Sequence, residues 1–164
     1  MKKHIFRSIT LATMAVLLAS LVLIFGVLYT YFANTQAKQL ETETGLAAAG
    51  VEKGGMDYLT SLGTGEYRIT WIAGDGKVLF DNKAESGSME NHLEREEIRQ
   101  ALATGHGASS RYSTTLTERQ LYYAVKLSDG TVLRLSVSHP AWWTLILGMI
   151  RPLLVIGIAA VVLA

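Results

Sequence analysis

The sequence predicts an α+β fold: a five-stranded antiparallel sheet with N-terminal helices, flanked by two transmembrane helices. Three observations predict it. Apolar residues make up 49% of the 164 and charged residues only 18%, and the apolar surplus lies in two runs at the ends of the chain. Between these runs the hydrophobic period changes from helical to a two-residue alternation. Two Asp-Gly pairs, Asp75-Gly76 and Asp129-Gly130, punctuate the alternating part as hairpin turns do.

Residues 1–8 hold Lys2, Lys3 and Arg7, and from Ile9 to Phe32 no residue is Asp, Glu, Lys, Arg or His. Those 24 residues, at about 1.5 Å of helical rise each, give roughly 36 Å, enough for a hydrocarbon layer of about 30 Å. Residues 9–32 are therefore expected to form the first transmembrane helix, with Tyr29 and Tyr31 in the outer interface. The basic cluster places residues 1–8 in the cytoplasm. A cleaved signal peptide fits less well, because the run is too long and Tyr31-Phe32 puts bulk where the cleavage site needs small residues.

Residues 33–141 are then an extracytoplasmic domain. It holds all 14 acidic residues and 11 of the 15 basic ones, a net −3, and has no basic stripe for nucleic acid. Cysteine is absent, so no disulfide supports its core. "ANTQAKQLETETGLAAAGVEKGG" suits a helix that leaves the membrane and breaks at Gly54-Gly55, and Asp57 is the expected cap of a short helix over Tyr58 to Leu62. "EYRITWIAGDGKVLFDN" reads as a hairpin. "SMENHLEREEIRQALATGHG" reads as a helix started by Ser88 or Asn91 and stopped by Gly105, with Leu93, Ile98, Ala101 and Leu102 on one face.

Three further strands are expected in "ASSRYSTTL", "RQLYYAVKL" and "TVLRLSVS". Leu121, Tyr123, Val125, Leu133, Leu135 and Val137 would face the core of a meander buried on one face. The second apolar segment is residues 142–164, an interfacial stretch followed by a second transmembrane helix. Trp142 and Trp143 serve as its aromatic anchors, and Arg151 reaches the head groups. Only 13 residues remain from Pro152 to Ala164, against the roughly 20 a span needs, so this helix is expected to be truncated and the activity of the whole protein to lie beyond it.

The motifs of common catalytic sites are missing: there is no Gly-x-Ser-x-Gly elbow, no Walker loop and no His-Glu-x-x-His. No catalytic residue and no metal ligand is assigned. Glu94, Glu96 and Glu97, with Glu90 and Asp81, read as a solvated face in preference to a cation site. His92 and His106 read as surface residues in preference to pH sensors. A ligand pocket lined by Trp71, Arg111, Tyr112, Tyr122, Tyr123 and Arg134 stands beside a plainer reading, in which the aromatics pack the core and Arg134, opposite Leu133 and Leu135, is solvated.

From "WIAGDGKVLFDN" through "MENHLEREEIRQAL" to "YYAVKLSDGTVLRLSVS", and in its two flanking apolar segments, the chain resembles the sensor half of a membrane-bound two-component histidine kinase of the phosphate-response type. The resemblance implies a PAS-like (Cache/PDC-type) sheet, a homodimer in the lipid bilayer, and an extracytoplasmic ligand or partner protein. It also implies a kinase region outside this chain that uses ATP and Mg and passes phosphate to a cognate response regulator. His4, His92, His106 and His139 all lack the acidic neighbour of a phosphoacceptor histidine, so no cofactor is expected in this chain. The alternatives are the sensor half of a chemotaxis receptor or of a cyclic-dinucleotide enzyme, and a stand-alone anchored protein that binds a partner.

Overall fold

The computed structural model describes residues 2–62, 65–113 and 118–139. Helix α1 spans Lys2–Ser61 and is interrupted at Gly55. Strands β1 (Arg68–Ile72) and β2 (Val78–Asp81) follow, then a 3-10 turn at Ser86–Ser88 and helix α2 (Glu96–Thr104). Strands β3 (His106–Ser113), β4 (Glu118–Lys126) and β5 (Val132–His139) complete the chain as described. The five strands form one antiparallel sheet in the order β2-β1-β5-β4-β3, so the last strand lies at the centre.

The chain divides into two units, Met1–Gln36 and Ala37–Ala164. In the first, the helix is long and apolar enough to cross a membrane. Its large side chains Ile9, Val16, Leu23, Val27 and Phe32 are all exposed. Thr13 and Thr30 donate their hydroxyls to the carbonyls of Ile9 and Gly26, both 2.9 Å, so these polar groups are satisfied within the helix itself. Tyr29 and Tyr31 lie on this helix. The expected second transmembrane helix, with Trp142, Trp143 and Arg151, falls outside the described residues.

In the second unit Leu40, Thr44, Ala47, Ala48 and Val51 recur at helical spacing and are buried. They pack one face of the sheet, against Ile69, Leu133, Leu135 and Val137. Each large aliphatic side chain taken out of water there contributes about 1.5–3 kcal/mol. Gly55 breaks the helix with φ 55° and ψ −135°, a conformation that glycine adopts without strain. The segment after it folds back so that the Tyr58 ring covers Gly50, where a Cβ would overlap the ring. Asp57 is not the cap: it already lies within the helical stretch, and its carbonyl accepts the Thr60 hydroxyl at 2.9 Å.

The sheet is not buried on one face alone. β5 is buried without alternation from Val132 to Val137, because α2 covers part of the opposite face. Ile98 and Ala101 of α2 pack there on Ile72, Ala124 and Val132. The N-cap position is Arg95, later than either expected cap, and no side chain caps the helix. Asn91 instead bonds the Asp75 carbonyl and the Leu93 amide, both at 2.8 Å, which fixes the loop before the helix. Gly105 stops it in the left-handed conformation (φ 93°), with its amide on the Ala101 carbonyl.

Gly107 of β3 is what allows α2 to approach so closely: a Cβ there would overlap the Glu97 carbonyl oxygen and lie 2.9 Å from the Ala101 nitrogen. Gly107→Ala is therefore expected to lower stability by about 1–3 kcal/mol. Gly45→Ala, with nothing within 4 Å on an exposed helix face, is expected to raise it by up to about 1 kcal/mol. Denaturant unfolding of the detergent-solubilised chain measures both, and an unchanged midpoint for Gly107→Ala would contradict the close contact between α2 and β3.

Candidate functional site: a charged cluster on the α2 face of the sheet

The register places the polar residues of this face in rows across the strands. Thr70 of β1 lies opposite Arg134 of β5, and Arg134 opposite Ala124 of β4. In the next row Arg68, Ser136, Tyr122 and Ser109 stand in line from β1 to β3, and beyond it come Ser138, Gln120 and Arg111. Two-residue alternation puts all of them on the α2 side, because Ile69, Leu133 and Leu135 occupy the α1 side.

A chain of ion pairs and hydrogen bonds connects them. Glu97, fully buried in the first turn of α2, accepts the Arg134 guanidinium at 3.2 Å and that of Arg111 on the same oxygen, Oε1. Its Oε2 accepts the Ser109 hydroxyl at 2.6 Å. Arg134 also donates to the Thr70 hydroxyl at 3.1 Å, and Thr70 donates to Asp81 Oδ2 at 2.9 Å. Asp81 is held as well by Arg68 Nε and by the backbone amides of Lys83 and Ala84. The Tyr122 ring lies 4.4 Å from the Arg111 guanidinium and 5.3 Å from that of Arg134, in cation–π range of both.

The cluster shifts its own titrations. Burial pushes the Glu97 carboxyl up, but the Ser109 hydrogen bond, a backbone amide and the charges of Arg111 and Arg134 outweigh it and hold the group below its ordinary value. Asp81 behaves likewise, burial being outweighed by its bonds from Lys83, Arg68 and Thr70. His92 is buried (8% exposed), with Nδ1 unpartnered among the described residues. Burial, then the charges of Arg134 and Arg95, push its pKa down, so it is neutral at pH 7.

The expected ligand residues divide between the faces. Arg111, Tyr122 and Arg134 converge on the α2 side, where Arg134 is 4% exposed and not solvated. Trp71 and Tyr123 belong to the α1 side: Trp71 Nε1 donates to Thr131 Oγ1 at 2.8 Å, and the Tyr123 hydroxyl donates to Glu41 at 3.0 Å. Tyr112 is on β3, and its side chain lies outside the described residues. Glu97 and Asp81 are buried ion-pair partners, whereas Glu90, Glu94 and Glu96 are exposed as expected. His106 is exposed, and His92, expected at the surface, is buried.

Sequence reasoning overlooked Ser109, Thr70 and Ser136 as site residues. No local pattern singles them out; for Glu97 the available signal was helical spacing, since it is four residues before Ala101 and so shares its buried face. No group of three or more His, Cys, Asp or Glu with metal-site geometry occurs among the described residues.

The depressed pKa values of His92, Glu97 and Asp81 give stability a defined dependence on pH. Each of the three groups binds fewer protons when folded, so its contribution is complete above its unfolded pKa and is lost as pH falls through the folded one. Stability is therefore expected to be level between pH 7 and pH 8 and to begin falling below the ordinary His value of 6.5. A second loss sets in below the ordinary values of 4.5 for Glu97 and 3.8 for Asp81. His92→Gln should abolish the first fall and leave the second; thermal unfolding from pH 8 to pH 3 checks this, and a first fall that persists in the variant contradicts it.

No protein-family model matches the chain, and no curated protein matches it either. Among solved structures it is weakly similar to the Bacillus subtilis YkuI protein, which has an EAL domain and is seen in complex with its substrate c-di-GMP and calcium. The identity is 14% and the TM-score 0.40, with 68% of this chain and 36% of that one covered, so the match spans about a third of the length of that protein.

Proposed function

We propose that this chain is the extracytoplasmic sensing and transmembrane signalling module of a two-component sensor histidine kinase. On this reading it is a multi-pass membrane protein with a PAS-like (Cache/PDC-type) sheet outside the cell and its N-terminus in the cytoplasm. One observation carries the proposal: a single helix, Lys2–Ser61, includes both the apolar run fit to cross a membrane and the stripe from Leu40 to Val51 that packs the sheet. The strand order β2-β1-β5-β4-β3, with a long N-terminal helix on one face and a short helix on the other, is the arrangement expected of PAS-like sensor sheets.

The signalling step then follows from the connections. α1 enters the domain from one apolar segment, and β5, which bears Arg134, precedes the other. A ligand or partner protein that alters the charged cluster would shift β5 against α1, biasing two arrangements of a homodimer by its differential affinity for them. The phosphoacceptor histidine, ATP, Mg and the response regulator belong to the kinase region that the resemblance implies. A polypeptide encoded after Ala164 that lacks such a region would sink the kinase reading.

The absence of cysteine makes the topology directly testable. Lys77→Cys, on the exposed β1–β2 hairpin, is expected to react with a membrane-impermeant maleimide in intact cells. Labelling only after permeabilisation would place the sheet in the cytoplasm and refute the sensor topology.

A further inference from the structure

We infer that the pocket between the free ends of β1, β4 and β5 binds a small oxyanion, a phosphate or carboxylate group. The pocket has a volume of ≈ 270 Å³ and is lined by Glu66, Arg68, Lys83, Gln120, Ser136, Val137 and Ser138. It is the side of the polar face that α2 leaves uncovered.

Its lining offers donors in excess of acceptors. Arg68 uses Nε on Asp81, and both of its terminal guanidinium nitrogens lack a partner among the described residues. Lys83 Nζ makes one long contact, 3.4 Å to the Glu66 carbonyl. Gln120 accepts the Tyr122 hydroxyl through Oε1, which leaves its amide nitrogen to donate. Ser136 is 3% exposed, lines the pocket, and its hydroxyl has no hydrogen-bond partner among the described residues. Its hydroxyl opens onto the pocket, where it can donate to a bound group.

Charge points the same way. Along the network Arg68, Arg111 and Arg134 face two carboxylates, Glu97 and Asp81, which leaves one positive charge unbalanced among the described residues. At the rim Lys83 and Glu66 offset each other. A planar or tetrahedral oxyanion would meet the Arg68 fork, the lysine and the serine hydroxyl together and restore the balance. The volume suits such a group better than a large apolar ligand. An anion held on Arg68 would compete with Asp81, and through Thr70 it would reach Arg134 on the central strand. This last consequence rests on the sensory reading above; the binding itself does not.

Isothermal titration of the full chain in phosphatidylcholine nanodiscs, with inorganic phosphate and separately with succinate at low ionic strength, tests the inference. Saturable binding of one of the two anions is expected. Lys83→Gln and Ser136→Ala should each weaken it about tenfold, the loss of one charge-assisted or buried hydrogen bond. Lys83 is exposed and outside the ion-pair network, so its variant keeps the fold intact. Saturable binding of neither anion, or wild-type affinity in both variants, would overturn the inference. Anion binding in a protein whose Lys77→Cys variant labels only in permeabilised cells would uphold the site while refuting the sensor topology.

Discussion

Arg134 sits on the central strand with its side chain almost wholly out of water, and a guanidinium in that position needs a carboxylate at hydrogen-bond distance. Glu97 supplies it from the first turn of α2. Much of the α2 face follows from this requirement. The helix must come close enough for the first-turn carboxylate to reach β5, so β3 carries glycine at position 107 where the Glu97 carbonyl lies. The second carboxylate lone pairs must be filled, and Ser109 and Arg111 fill them. The second terminal nitrogen of Arg134, Nη2, turns to Thr70, which extends the network to Asp81 and Arg68, while Nε is buried without a partner among the described residues.

The two faces of the sheet thus do different work. The α1 face is apolar and continuous, from Leu40 and Val51 to Leu133, Leu135 and Val137, and supplies most of the hydrophobic stabilisation. The α2 face has a small apolar patch of Ile72, Ile98, Ala101, Ala124 and Val132 beside a charged cluster. Replacing a buried ion pair by well-packed apolar residues often stabilises a protein, so the cluster is poorly explained by stability alone. It includes the central strand, and the polar pocket lined by Arg68 and Ser136 lies beside it.

Local chemistry made the frame legible in the sequence. The turns at Asp75-Gly76 and Asp129-Gly130 lie where the glycines take positive φ, and the N-terminal helix breaks at Gly55 as its glycine pair suggests. The site was legible only in part. Alternation told that Arg134 points away from Leu133 and Leu135, yet it could not tell what covers that side. The plainer of its two readings left Arg134 solvated, whereas the structure buries it. Glu97 was read with Glu94 and Glu96 as one exposed acidic face, because composition outweighed the spacing that sets it beside Ala101. His92 is buried for a similar reason: the loop before α2 is fixed by Asn91, a long-range contact with Asp75 that no local pattern encodes.

The account depends on Glu97 and Arg134 acting as one unit, and a double-mutant cycle measures that directly. With Glu97→Gln, Arg134→Gln and the double variant unfolded in denaturant, the coupling free energy is expected to be about 1–3 kcal/mol, because Glu97→Gln leaves the buried Arg134 charge without its carboxylate while Arg134→Gln leaves Glu97 with Arg111 and Ser109 alone. Additive effects, with coupling under about 0.5 kcal/mol, would mean that the two side chains do not hold α2 to the central strand.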